Sequence, residues 1–170
     1  MTPMLIGLFV ALLVVGLLAG SARIKRSDIR ADVYRPQEQL FSAAEVHFLA
    51  ALDQSIEPEH RVFGKVRLAD LVSIKSGLSP SRRQIALNRV AQKHIDFVVC
   101  AGASLTPICA IELNDSSHKS SHAMRRDDFV ASVCAQVGIP LVVFKAAASY
   151  SKDMIRLKLA SATQPMIAER

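Results

Sequence analysis

Two acidic residues interrupt apolar, β-branched runs of the sequence. Asp96 lies near the start of the run at residues 95–100, and Glu112 lies near the end of the run at residues 107–113. The short turn between the runs fits an antiparallel hairpin, which would bring both carboxylates to one end of a sheet. Carboxylate oxygens are the ligands that a hard cation such as Mg²⁺ or Mn²⁺ prefers. The sequence therefore predicts a divalent-metal site at that end.

Further polar residues follow the second run. His118 ends the block at residues 112–118, and Asp127 lies in the charged stretch at residues 125–128, where a helix begins. A metal held by carboxylates, with a base and cations nearby, suits phosphodiester hydrolysis, because the metal activates water and the cations stabilise developing negative charge. The basic residues that could contact a nucleic-acid backbone are Arg82, Arg83, Arg89, Lys93, Arg125 and Arg126.

Each of these residues also has a purely structural interpretation. Asp96 could bond to a turn amide at the end of a strand. Glu45 fits first as a capping-box residue at a helix start, and Asp127 could be a helix N-terminal charge stabilised by the helix dipole. His118 and the basic face of residues 82–92 are of types that are usually solvated. A functional role therefore depends on which of them meet in space.

Apolar periodicity predicts the elements that must position these residues. Ser42 and Glu45 begin a helix that runs to about Gln54. Gly138 ends a second long helix, which crosses over between two strands. The predicted elements are, in chain order, the first helix, a strand (61–68), a helical turn (69–74), a short basic helix (82–92), two strands (95–100 and 107–113), the crossover helix (124–137), a strand (139–144) and a final helix (151–160). This order predicts an α/β fold with a mixed central sheet flanked by helices.

Residues 40–144 resemble the bacterial family named domain of unknown function 2726. The family pattern runs through an Asp-Phe-Val strand, a Glu-Leu-Asp-Asp-x-Ser-His block, an Arg-Asp-x-Phe-Val-Asp helix start and an Ala-Gly-x-Pro-Leu strand. In this chain the motifs stand at residues 96–98, 112–118, 126–131 and 137–141. That family is similar to the PD-(D/E)xK restriction-endonuclease-like superfamily, especially the very short patch repair endonucleases. The resemblance implies a core of helix, three strands, helix and strand.

The resemblance also implies roles for individual residues. Asp96 and Glu112 would be ligands of Mg²⁺ or Mn²⁺. Glu45, on the first helix, would match the accessory acid that some superfamily members use. His118 and Asp127 would be secondary polar residues of the catalytic site.

The chain departs from the family pattern at two positions. Asn114 stands where the family shows Asp and the wider superfamily shows Lys, and Ala131 stands where the helix continues with Asp. An asparagine can ligate a metal through its carbonyl oxygen, but it cannot supply charge or act as a base. Asn114 could therefore take part in catalysis as a metal ligand, but not as the charged residue that the pattern has at this position.

The amino-terminal residues differ from the rest of the chain. Residues 1–22 carry no charge, and residues 4–20 are almost entirely apolar, which is at the short end of the length needed to cross a bilayer. A basic cluster from Arg23 to Arg35 follows directly, and such clusters are retained on the cytoplasmic side. The pattern predicts a single-pass anchor in the inner (cytoplasmic) membrane, with the C-terminal domain in the cytoplasm. A cleaved signal peptide is the alternative interpretation.

The composition limits the remaining possibilities. Hydrophobic residues make up 51% of the 170 residues and charged residues 21%, which excludes a disordered or collagen-like chain. The three cysteines, Cys100, Cys109 and Cys134, lie in apolar surroundings without CxxC spacing, so they are expected to be reduced core thiols. The net charge of +6 does not by itself indicate nucleic acid.

Together these observations predict four segments. They are a transmembrane anchor (1–22), a basic juxtamembrane linker (23–39), a nuclease-like domain (40–162) and a tail (163–170). The expected function is a membrane-anchored, divalent-metal-dependent nuclease acting on nucleic acid, with DNA favoured over RNA. The alternatives are a nucleic-acid-binding or scaffold module that keeps the fold without turnover, and an interaction domain that touches no nucleic acid.

Overall fold

Four strands form one mixed sheet, and helices cover both of its faces. The computed structural model describes residues 33–114 and 121–167, and its helices and strands belong to one compact unit that begins at Gln39. The elements are α1 (Ala43–Asp53), β1 (His60–Arg67), α2 (Leu68–Leu71), α3 (Pro80–Ala91), β2 (His94–Ala101), β3 (Pro107–Asn114), α4 (Ser121–Gln136), β4 (Leu141–Lys145) and α5 (Lys152–Ile167).

The strands lie in the order β1-β2-β3-β4. β1 pairs with β2 and β2 pairs with β3, both antiparallel, whereas β3 and β4 are parallel because α4 crosses over between them. The predicted α/β fold, its mixed sheet and its element order are therefore confirmed. The final helix is longer than predicted, since α5 continues to Ile167, into the segment predicted as a tail.

Local sequence signals set the helix boundaries. Ser42 and Glu45 form the predicted capping box at the start of α1, where each side chain satisfies an amide of the other residue. Ser79 caps α3, and Pro80 occupies its first turn, where the missing N–H costs nothing. After α4, Gly138 adopts a left-handed φ of 70°, which ends the helix as predicted.

Two apolar clusters hold the helices against the sheet. On the first face, α1 and α5 pack on the sheet through Phe48, Leu52 and Ile155, and on the second face α3 and α4 pack through Val90, Val130 and Cys134. Phe48 is fully buried, and its ring lies 4.9 Å from that of Phe144 and 5.7 Å from that of Phe97. All three cysteines are free and buried, so their predicted place in the core is confirmed.

β1 and β2 change faces at neighbouring positions. In β1, Val62 packs on the first face and Val66 on the second, although strand alternation would put both on one face. In β2, Phe97 packs on the first face and Ile95 on the second. Lys65 lies within the first of these intervals, directly before Val66, and Asp96 is the residue between Ile95 and Phe97. They lie opposite each other, because the register pairs Gly64 with Phe97 and Val66 with Ile95.

The backbone of Lys65 explains the change in β1. Its φ is 54°, a left-handed value that reverses the side-chain alternation and is uncommon for any residue other than glycine. The ring of Phe41 lies directly against the preceding Gly64 and stacks on Phe97 at a centroid distance of 5.6 Å. A close contact between a glycine and an aromatic ring therefore sits beside the strained position.

The predicted membrane anchor at residues 1–22 and most of the predicted linker at residues 23–39 lie outside the described residues. Among the helices of the described part, residues 33–114 and 121–167, none is long and apolar enough to cross a membrane.

We expect Gly64→Ala to lower the free energy of unfolding by about 1–3 kcal/mol, because the added Cβ would overlap the ring of Phe41. Urea unfolding followed by circular dichroism measures the change. In a Phe41→Leu background the same substitution should cost less by at least about 0.5 kcal/mol, because the smaller side chain gives way. An equal cost in both backgrounds would show that the ring contact is not the cause.

Candidate functional site

A polar cleft opens where β1, β2 and β3 run side by side beyond the hydrophobic core. Its volume is about 220 Å³, and it is lined by Lys65, Gln92, Lys93, His94, Asp96, Glu112 and Val130. The two acidic residues singled out by the sequence thus share one cleft, as the hairpin between their strands predicts. Lys93 is the third predicted site residue in this lining.

Asp96 lies just beyond the paired part of the β2–β3 hairpin. The ladder on this side ends at the pair formed by Phe97 and Ile111. Beyond it, the amide of Leu113 donates a hydrogen bond of 2.9 Å to Oδ2 of Asp96 in place of a main-chain partner. The structural interpretation predicted a hydrogen bond from a turn amide to Asp96. The carboxylate does accept from a main-chain amide, but that amide belongs to β3 and not to a turn. The other oxygen, Oδ1, lies 3.9 Å from Nζ of Lys65.

Glu45 joins the site from the first helix. Its Oε2 accepts hydrogen bonds of 2.8 Å from the amide and 2.9 Å from the hydroxyl of Ser42, and its Oε1 forms an ion pair with Lys65. The side chain is therefore a capping residue and a neighbour of the cleft at the same time. Both interpretations drawn from the sequence are compatible with this position.

The pKa values of the two neighbouring carboxyl groups move in opposite directions. Burial raises the pKa of Asp96, and the nearby negative charge of Glu45 raises it further, against the opposing effects of the Leu113 amide and Lys65. For Glu45, burial alone would raise the pKa, but hydrogen bonds from Lys65 and Ser42 outweigh it and lower the pKa below its usual value. Negative charge is thus easier to keep on Glu45 than on Asp96.

Glu112 reaches the cleft from the second face of the sheet. Its strand neighbours Ile111 and Leu113 pack on the first face, so alternation directs Glu112 towards α4. Burial, together with the negative charge of Glu112, raises the pKa of Cys134 on that helix to about 11. Asp96 and Glu112 therefore approach the cleft from different sides, and Val130 of α4 closes the wall beside them.

The predicted cationic residues divide into two groups. Lys93 lines the cleft, and its Nζ lies 5.5 Å from the ring centroid of Phe129, while the guanidinium of Arg89 lies 4.5 Å from the same ring. Arg82 and Arg83 are exposed near the start of α3, about 14 Å along the helix axis before its end. The structure brings Lys93 and Arg89 together at Phe129 and puts Lys93 in the cleft, whereas Arg82 and Arg83 lie towards the other end of α3.

The remaining predicted residues are at or beyond the limits of what the structure describes. His118 lies outside the described residues. Arg125, Arg126 and Asp127 belong to α4, but their side chains are not among those described. Asn114 ends β3, where its main-chain oxygen accepts from the amide of Ala146 at 2.9 Å, and it is not among the residues that line the cleft. Ala131 is exposed on α4.

Sequence reasoning missed Lys65, Gln92 and His94. Gln92 follows α3 and His94 begins β2, so both are sequence neighbours of Lys93. The prediction of Lys93 as a site residue was the signal that could have pointed to them. Lys65 belongs to the strand predicted at residues 61–68, where regular alternation would place it on one face with Phe63 and Arg67. Its turn into the cleft depends on its left-handed backbone, which the sequence does not reveal.

The residues of the cleft fit a divalent cation that the protein holds with few ligands. Within residues 33–114 and 121–167, no group of three or more His, Cys, Asp or Glu side chains is arranged to hold a metal ion alone. Mg²⁺ is commonly bound through one or two carboxylates, with water and substrate phosphates completing the octahedron. Asp96 and Glu112 could supply those two carboxylates, and the raised pKa of Asp96 marks a charge that a cation would stabilise.

We expect Asp96→Asn to raise the free energy of unfolding at pH 7 by about 1 kcal/mol, because it removes a partly buried charge while leaving an oxygen that can accept from the Leu113 amide. The pKa of Asp96 is higher in the folded state than its usual value of 3.8, so its charge destabilises the wild type at pH 7. Protonation removes this cost as the pH falls through the folded-state pKa towards 3.8. The gain of the variant should therefore shrink on acidification in urea unfolding curves.

Asp70→Asn is the matched control for this prediction. Asp70 is exposed, and its hydrogen bonds with Arg67 lower its pKa, so removing its charge should not stabilise the protein at pH 7. A loss of stability in Asp96→Asn at pH 7 would contradict the prediction.

Comparison with known proteins gives one match. Residues 37–162 match the family model described as protein of unknown function (DUF2726). The search of curated proteins and the search of solved structures found no match. The family match covers most of the 170 residues and all of β1, β2, β3 and β4. This chain therefore belongs to the DUF2726 family.

Proposed function

We propose that this protein is a divalent-metal-dependent nuclease of the PD-(D/E)xK type, which hydrolyses phosphodiester bonds in DNA. The single observation that carries the proposal is the shared cleft of Asp96 and Glu112, with Lys93, His94 and Lys65 in the same lining. Partly buried carboxylates beside cations are a common signature of functional sites. The order of helix, three strands, helix and strand in the core supports the same assignment.

In this proposal Asp96 and Glu112 hold Mg²⁺ or Mn²⁺. Such an ion, when bound, lowers the pKa of a coordinated water and polarises the phosphate. The chain's own contribution is the position of the two carboxylates. The Leu113 amide fixes Oδ2 of Asp96, so Oδ1 is the oxygen that remains for a ligand. Glu112 approaches from the α4 side, which puts the two carboxylates on different walls of one cleft.

The cations around the cleft suit a polyanionic substrate. Lys93 lines the cleft, and both Lys93 and Arg89 lie against the ring of Phe129. Positive side chains of this kind contact phosphates and position a nucleic acid without reading its sequence. The apolar run at residues 4–20 would keep such a nuclease at the inner face of the cytoplasmic membrane.

A second candidate is a module of the same fold that binds nucleic acid without cleaving it. It is favoured by Asn114 and by Ala131, which replace acidic or basic residues of the family pattern. The two candidates share the cationic surface and differ in turnover. Cleavage therefore separates them, and binding alone does not.

We expect the full chain, purified in mild detergent, to cleave a mixture of labelled DNA and RNA in Mg²⁺ or Mn²⁺, and not in EDTA. Asp96→Asn and Glu112→Gln should each lower the cleavage rate by at least about 100-fold, because each removes a charged ligand from the proposed ion. Both should also lose the thermal stabilisation that Mn²⁺ gives the wild type. The control is Asp70→Asn, an exposed carboxylate outside the cleft, which should retain both properties.

Three results of this experiment have different meanings. Cleavage that persists in Asp96→Asn would contradict the proposed site. Stabilisation by Mn²⁺ without cleavage of any substrate would favour the second candidate. The absence of both in the wild type would leave the carboxylates with a structural role.

We expect Lys93→Gln to weaken DNA binding uniformly across sequences and to reduce the slope of log K against log salt by about 1, because Lys93 lies in the cleft and contacts phosphate in the proposal. Arg82→Gln is the matched comparison, since Arg82 lies near the other end of α3. A larger loss in Arg82→Gln than in Lys93→Gln would move the nucleic-acid path away from the cleft. Filter binding in EDTA at several salt concentrations measures both without cleavage.

A further inference from the structure

We infer that Lys65 is a catalytic residue of this site, and that its ammonium group contacts the scissile phosphate, with Glu45 as its positioning residue. The inference rests on the proposed nuclease function. Nothing in the sequence motifs assigns Lys65, which comes from β1, the edge strand, and from no part of the hairpin that carries the acidic pair.

The contacts of Lys65 leave it able to meet a substrate. An ammonium group has three N–H donors and no acceptor. Oε1 of Glu45 takes one donor, and Oδ1 of Asp96 lies 3.9 Å away. The side chain is about 28% exposed and lines the cleft, so a further donor can face the bound phosphate.

The backbone at Lys65 has a conformation that is unusual for a lysine in a strand. A left-handed φ of 54° is disfavoured for a lysine in a strand, where glycine or asparagine would be less strained. The strain turns Lys65 out of the ordinary alternation of β1, between Val62 on one face and Val66 on the other. A lysine kept in this conformation is held where both Glu45 and Asp96 can reach it.

Lys65 differs from the other cations near the cleft in the charged residues that surround it. Glu45, Asp96 and Glu112 are acidic, and Asn114 at the end of β3 is neutral. Lys93 and Arg89 are positioned against the ring of Phe129, and Lys93 also lines the cleft. Lys65 forms an ion pair with Glu45, and its Nζ lies 3.9 Å from Oδ1 of Asp96, a proposed metal ligand. This position puts its ammonium group beside a phosphate that the acidic pair would engage through a metal.

The reaction assigns Lys65 an electrostatic role. The oxygen of a water molecule forms a bond to phosphorus while one ester P–O bond breaks. The electron pair of the broken bond goes to the leaving oxygen, which takes a proton from solvent, and the proton lost by the attacking water passes to solvent. Lys65 stays protonated throughout and donates a hydrogen bond to a non-bridging oxygen, whose negative charge grows in the transition state.

The test compares the full chain with Lys65→Met, Lys65→Arg and Glu45→Gln, and uses Lys152→Met on α5 as the matched control. The readouts are the single-turnover rate of DNA cleavage at saturating Mn²⁺ and the thermal stabilisation by Mn²⁺. Lys65→Met should lower the cleavage rate about 100- to 1,000-fold while the stabilisation by Mn²⁺ remains, because Asp96 and Glu112 are intact. Lys65→Arg should recover at least part of that loss.

Glu45→Gln tests the positioning role. Glutamine keeps the capping box, so α1 should stay folded while the ion pair to Lys65 is lost. We expect the cleavage rate to fall in the otherwise wild-type chain and to show no further fall in the Lys65→Met background. Independent losses that multiply in the double variant would overturn the assignment of Glu45 as a positioning residue.

The failure of this inference differs from the failure of the proposed function. Cleavage by Lys65→Met within about threefold of the wild type, with Asp96→Asn inactive, would overturn the role of Lys65 and leave the nuclease proposal standing. Absence of cleavage and of Mn²⁺ stabilisation in the wild type would overturn both. Loss of Mn²⁺ stabilisation in Lys65→Met and Lys65→Arg alike would assign Lys65 to the integrity of the cleft, which also contradicts a catalytic role.

Discussion

The site depends on one crossing point in the sheet, the place where Lys65 of β1 lies opposite Asp96 of β2. Both strands change faces there, so the side chains before and after it belong to different apolar clusters. A regular strand would point Lys65 to one side only. Because the backbone of Lys65 is left-handed, polar groups from both layers converge, with Glu45 from α1 on one side and Glu112 from β3 on the other.

The charges at the crossing point are unequal, and this inequality has a cost in stability. Asp96 is partly buried beside Glu45, and one lysine offsets the two carboxylates from 3.9 Å or less. A domain selected only for stability would replace Asp96 with a neutral acceptor for the Leu113 amide, since burying a charge has a cost. A partly buried carboxylate in this environment is a group that the proposed Mg²⁺ or Mn²⁺ would stabilise.

The parts of this structure that sequence predicts are the ones fixed by nearby residues. The capping box of Ser42 and the stop at Gly138 involve only a few neighbouring residues, and both formed as expected. Asp96 and Glu112 were brought together by a hairpin with a short turn, whose register follows from its strands. Lys65 was not predictable in the same way, because its orientation depends on a single φ angle and on pairing with a strand across the intervening α2 and α3.

Asn114 and Lys65 differ in charge and come from different strands of the sheet. A neutral residue at the end of β3 removes a charge from the strand that carries Glu112, yet the cleft still contains a lysine, supplied by the edge strand. The interaction of an ammonium group with a phosphate depends on where that group lies relative to the carboxylates. It does not depend on which strand carries the lysine. A motif along one strand therefore misses some of the residues of the proposed site. Those residues come from three strands and one helix.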